Sequence, residues 1–162
     1  MVQVAGSVDE THEFFRRVRK DHEVLRDLLA ALDVALAMAE RDGAVEEARA
    51  RAREEAVELF GKLEIRLAEH FEHEEKGEFI AKALCLAPRL SRRAAGLFED
   101  HDILARRLRE IGETARAAGT TAAGWQATHL HYQRFLERLR DHEQIESEVI
   151  QEALLDDLGG GG

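Results

Sequence analysis

The run Leu59–Glu74, LFGKLEIRLAEHFEHE, decides how this chain is read. Leu59, Leu63 and Leu67 recur every four residues, the spacing that lines one face of an α-helix. His70 continues that line, and Glu74 stands one turn further on. A helix turns every ~3.6 residues and rises ~1.5 Å per residue, so His70 and Glu74 share a face and can reach one centre. A face built for burial therefore passes from leucine to side chains that carry charge and bind cations.

Three more stripes of the same kind flank this one. The first segment opens at Ser7, whose spacing to Glu10 matches a capping box, and carries Phe15, Val18, Leu25, Leu29, Leu32 and Leu36. Asp42-Gly43 ends it, since glycine accepts the left-handed geometry that closes a helix. The second segment begins near Val45 with a charged, solvated stretch from Glu46 to Glu58 and runs to about Ala83. Pro88 marks the second break. Ser91 is placed to cap a third helix with Leu97, Phe98, Leu104, Leu108 and Ile111 inward. Gly119-Thr120-Thr121 makes the third break, and the last helix runs to about Leu155 with Phe135, Leu139, Val149 and Ala153 inward.

Short connections make successive helices antiparallel neighbours, so the expected fold is all-α, an up-down-up-down four-helix bundle. Asp21-His22-Glu23-Val24-Leu25 resembles Asp100-His101-Asp102-Ile103-Leu104. Leu67, Glu69, His70 and Glu74 likewise resemble Leu139, Asp141, His142 and Glu146. The halves are thus similar helix pairs, expected to pack with a pseudo-two-fold axis. Measured from Gly43, His70 lies about six residues further than His22, so the first connection must be longer or skewed.

With 162 residues the chain has room for one domain, taken as 1–158, with a flexible glycine tail at 159–162. A net charge of −10 argues against nucleic acid or anionic lipid as a partner. No apolar run approaches the ~20 residues that span a bilayer, and no signal-peptide pattern opens the chain. Cys85 stands alone and cannot form an internal disulfide, which leaves the redox compartment open, with the cytoplasm as the default expectation.

Each apolar stripe is interrupted by a histidine: His22, His70, His101 and His142. Two of these have a glutamate four residues on, Glu74 and Glu146. An ionised glutamate in a bundle core costs several kcal/mol unless its charge is matched. Two facing each other raise one another's pKa, and neutral histidines do not cure that. A pair of cations does, and imidazole with carboxylate suits iron, manganese or zinc. His73 lies one face round from His70, exposed or just outside the ligands. His131 lies three turns before His142, too far to share its metals, and reads as a capped or core histidine. His12 and His129 read as surface residues near helix starts. Asp21, Glu69, Asp100 and Asp141 each precede a ligand histidine and are placed to accept a ring N–H from a neighbouring helix.

Together these residues resemble the hemerythrin-like family, whose members bind a non-haem di-iron centre in a four-helix bundle; a member of that family is a standard example of the architecture. The resemblance spans about His12 to Leu155. His22 in Asp-His-Glu-Val-Leu is similar to the first-helix ligand. His70-Phe71-Glu72-His73-Glu74-Glu75 is similar to the second-helix signature, with His70 as ligand and Glu74 as bridging carboxylate. His101 resembles the third-helix ligand, and His142 with Glu146 the fourth-helix pair of the bacterial and regulatory HHE cation-binding branch. Ala105 and Ser147 stand where oxygen carriers have a second third-helix histidine and an aspartate. The implied set is four histidines and two glutamates, symmetric about two iron ions joined by an oxo or hydroxo bridge.

The resemblance implies reactivity toward a small oxidant, oxygen, nitric oxide or peroxide, in a stress-response role. The alternative is an iron or oxygen sensor or store whose metal occupancy regulates stability or partner binding without turnover. Rival two-metal bundles use Glu-x-x-His, but Arg19, Leu67, Phe98 and Leu139 occupy the positions three before the inward histidines. Neither His-Glu-x-x-His nor paired cysteines occur, which removes the common zinc sites.

Overall fold

The computed structural model describes residues 5–41, 43–76 and 88–159. They form four long helices: α1 (Ala5–Ala39), α2 (Glu46–Lys76), α3 (Ser91–Ala118) and α4 (Ala122–Gly159). A single 3-10 turn, Pro88–Leu90, leads straight into α3. The expected all-α bundle is the observed one. Helices α1 and α2 pack as one pair, α3 and α4 as another, and α2 joins the pairs by packing on α3, while α1 and α4 meet far less.

Side-chain pairs show the alternating directions. Arg93 reaches Glu148 and Glu152, while Asp100 further along α3 meets Arg138 further back along α4. Leu29 on α1 pairs with Tyr132, and Glu40 just past the end of α1 pairs with His129. No helix among the described residues is long and apolar enough to cross a membrane.

The turns follow local chemistry. Gly43 has φ +75° and Gly119 φ +54°, where a side chain would be strained. Thr121 closes one helix and opens the next: its hydroxyl donates to the Ala118 carbonyl at 2.8 Å and accepts from the Gly124 N–H at 3.3 Å. Two expected caps differ. Ser7 lies inside α1, because Ala5 and Gly6 are already helical. Ser91 is the first residue of α3 and not its cap; Leu90 holds that position without a side-chain bond, since the 3-10 turn feeds directly into the helix. Helix α4 continues past Leu155 to Gly159, with no proline to stop it. The expected end of α2 near Ala83, Cys85 and residues 160–162 lie outside the described residues.

The apolar core fills the end of the bundle that holds the Gly43 and Gly119 turns. Leu25, Leu32, Leu36, Leu59, Leu63, Leu67, Leu104, Leu108, Ile111, Phe135 and Leu139 are all buried there, as their periodicity requires. Phe60 and Tyr132 meet edge to face, with ring centroids 5.9 Å apart. Leu90, Ala94, Leu97 and Val149 are also buried but stand beyond the histidines. A polar layer thus separates two apolar regions.

Candidate metal centre

All six side chains expected to bind metal come together in that layer. His70, Glu74, His101, His142 and Glu146 are buried, and His22 is half-buried at its edge. His22, His70, Glu74 and Glu146 offer ligand atoms that all lie within 4.8 Å of one another, and so do Glu74, His101 and His142. Glu74 belongs to both groups. Its Oε1 stands 2.8 Å from His70 Nε2 and its Oε2 stands 3.1 Å from His101 Nε2. The expected symmetry is incomplete, because Glu146 joins only the first group.

These close approaches are not aligned as hydrogen bonds. His70 Nδ1, both Glu74 oxygens, His101 Nε2, both His142 nitrogens and Glu146 Oε2 are buried without a hydrogen-bond partner. Each orphaned group of this kind costs about 1–3 kcal/mol. So many in one layer is an arrangement that a cation would relieve, and nitrogen and oxygen donors in two adjoining sets could hold metal ions.

The ionisation of the layer without a cation follows from burial and mutual charge. Burial is the largest influence on Glu74 and pushes its pKa up, but His101 and His70 outweigh it and bring the carboxyl down to about 2. Glu146 moves oppositely, up to about 9, through burial and then the charge of Glu74. The pair therefore keeps one proton and one negative charge. Burial, then nearby His101, lowers His142 to about 4. Burial, then His70, lowers His22. Burial also opposes protonation of His101, but Glu74 and Glu75 together raise it above the ordinary histidine value.

Neighbouring side chains hold the rings. Phe71 stacks on His101, with centroids 4.0 Å apart and planes 9° from parallel. His101 Nδ1 lies 2.9 Å from Glu75 Oε1, which fixes the tautomer that leaves Nε2 facing Glu74. Asp100 Oδ2 stands 3.4 Å from His142 Nδ1, an approach too poorly aligned for a full hydrogen bond, and Arg138 braces the other Asp100 oxygen through Nε at 2.8 Å.

Of the acids that precede the histidines, Asp100 alone approaches a ligand ring as expected. Asp21 meets exposed His73 at 3.3 Å, and Glu69 pairs with Arg66 on its own helix. Asp141 is exposed. The partner that sequence missed is Glu75; its signal was the doubled acid of Glu74-Glu75, which puts a second carboxylate about 100° round toward α3. His131 is exposed, not a core residue, because its position on α4 turns away from the bundle. His129 is half-buried, not a surface residue, and pairs with Glu40 at 2.7 Å. The side chain of His12 lies outside the described residues.

A cavity of about 500 Å³ between α3 and α4 reaches His142, lined by Arg93, Gly96, Leu97, Arg138 and Ile145 among others. Compared with protein-family models, curated proteins and solved structures, the chain finds no match.

Proposed function

We propose that the chain is a hemerythrin-like di-iron protein that binds or reacts with a small oxidant. In this reading His22, His70, Glu74 and Glu146 hold one iron ion, His101 and His142 hold the second, and Glu74 is shared. The observation that carries it is Glu74, a buried carboxylate whose two oxygens face histidines of different groups. Without a cation that placement leaves both oxygens in the core without a hydrogen bond.

Bound iron would supply redox chemistry toward oxygen, nitric oxide or peroxide. The chain's own residues do the rest. Glu75 and Asp100 orient the rings of His101 and His142. Phe71 packs against His101 and His142 and keeps bulk water from that side. The cavity between α3 and α4 gives a small molecule a way to His142. The same donors accept manganese and zinc; iron is preferred on the hemerythrin-like pattern of the six residues.

Elemental analysis of protein purified without chelators, with its visible spectrum, tests this reading. About two irons per chain with near-ultraviolet absorption of a bridged pair is the expected result. A fully folded bundle that takes up no metal when iron is offered would sink it.

One observation favours a sensor or store as the second reading. The unbonded atoms of the layer destabilise the metal-free bundle, so occupancy is coupled to stability. Turnover separates the two: a sensor binds oxidant without repeated catalytic cycles.

A further inference from the structure

We propose that the two ion positions are unequal: the group of His22, His70, Glu74 and Glu146 takes a divalent ion first and more tightly, and the group of Glu74, His101 and His142 fills only at higher metal concentration. This inequality rests on reading the layer as a metal centre, and it concerns how the chain divides its charge between two ions. The sequence repeat predicts equal halves, His70 with Glu74 and His142 with Glu146. The folded chain does not place them equally, because Glu146 reaches the first group alone.

Two carboxylates and two imidazoles face the first ion, so its double charge is matched by its own donors. Glu74 is the one carboxylate that, among the described residues, joins the second group's two imidazoles. It cannot serve both ions in full. Its Oε1 stands 2.8 Å from His70 Nε2 and its Oε2 3.1 Å from His101 Nε2, so one negative charge is divided between the two sides. Once the first ion is held, the second meets two neutral rings and a carboxylate whose charge is already engaged. It also meets the first ion's own charge inside a buried layer, where repulsion is screened poorly.

The charges outside the layer do not restore the balance. Glu75 stands 2.9 Å behind His101, but its side chain is 47% exposed and solvent screens it. Asp100 stands 3.4 Å behind His142, and Arg138 pairs with it there. Both orient rings without adding unmatched negative charge to the core. Beside the first group, exposed Arg26 acts on His22 and half-buried Glu143 acts on His70, two opposite charges that offset one another. Ion affinity follows the charge and number of the ligands, so the second step should be at least about tenfold weaker than the first. Over that range the chain carries one ion, and the pair assembles only as metal becomes plentiful.

The metal-free full chain is titrated with cobalt(II) alone, followed by visible absorption, paramagnetic resonance and competition with a chelator of known affinity. One ion per chain should bind first with the resonance of an isolated ion, and coupling between ions should develop only with the second equivalent. His142→Ala should keep the first step within about twofold and lose the second. Glu146→Gln keeps the size and removes a charge from the first group alone, and it should weaken the first step at least about tenfold. Circular dichroism checks both folds, and Glu146→Gln decides the matter should His142→Ala fail to fold. Two ions bound with equal affinity, a first step unmoved by Glu146→Gln, or a first step lost in folded His142→Ala would overturn the inequality and leave the metal centre standing. A chain that binds neither cobalt nor iron overturns both.

Discussion

Nδ1 of His101 lies 2.9 Å from Oε1 of Glu75 on the neighbouring helix, so a candidate ligand is oriented from its far side by a residue next to the shared carboxylate. The contact sets the ring so that Nε2 faces Glu74. Glu75→Gln keeps the size and weakens the acceptor. It should lower metal affinity by roughly tenfold or more while thermal stability of the metal-free protein changes little. Competition with a chelator of known affinity measures it, and unchanged affinity would remove Glu75 from the site's support.

Glu74→Ala removes the one carboxylate that, among the described residues, is common to both groups. Metal content should fall to near zero under conditions that load the parent protein. Thermal denaturation of the metal-free variant beside the metal-free parent separates loss of metal from loss of the fold. A variant that loads metal like the parent contradicts the shared role.

Stability of the metal-free protein should depend on pH through Glu146. Its folded carboxyl is held up to about 9, above the ordinary range that the unfolded chain shows. Between those values the folded state keeps a proton that the unfolded state has lost, so stability falls as pH rises. His101, also raised, acts in the same direction, because its contribution is lost as pH rises through its folded pKa. Glu74 is ionised in both states from pH 7 to 9, and the lowered His22 and His142 oppose the decline only slightly, through the last deprotonation of the unfolded imidazoles just above pH 7. Denaturant titrations should therefore show a decline of at most about 1.4 kcal/mol per pH unit for one proton. Glu146→Gln should flatten most of it. A parent protein equally stable at pH 7 and pH 9 would contradict the assignment.

Tyr132 ties α4 to α1 away from the His/Glu layer, its hydroxyl donating to the Leu29 carbonyl at 2.9 Å. Tyr132→Phe should cost about 1 kcal/mol of stability. Metal content should not change. Thermal denaturation and elemental analysis on the same sample separate the two effects, and a loss of metal would show that the core and the layer are not independent.

Much of the fold was legible because helix periodicity is local. The Leu59, Leu63, Leu67 stripe and its three counterparts identify the buried faces by spacing alone, and Gly43 and Gly119 mark turns because their backbone requires positive φ. Ser7 and Ser91 misled for the opposite reason. A cap depends on where the chain enters the helix, and a Ser-x-x-Glu pattern occurs readily inside helices of so acidic a chain. Trp125 and Tyr132 also escaped a stripe-based reading. Both are buried, but each satisfies its polar atom on a backbone carbonyl that only the assembled turn or neighbouring helix supplies.

The sequence by itself determined four amphipathic helices in two similar pairs, and it determined that His22, His70, Glu74, His101, His142 and Glu146 sit on inward faces. Those properties follow from residue type and angular position on a single helix. Only the tertiary structure decided that Glu74 turns one oxygen to each histidine group, that Glu146 joins one group alone, and that Glu75 rather than Glu69 meets a ligand ring. The physical reason is that helix rotation and register are set by packing summed over whole interfaces. A shift of one residue, about 1.5 Å and 100°, exchanges which carboxylate faces the centre.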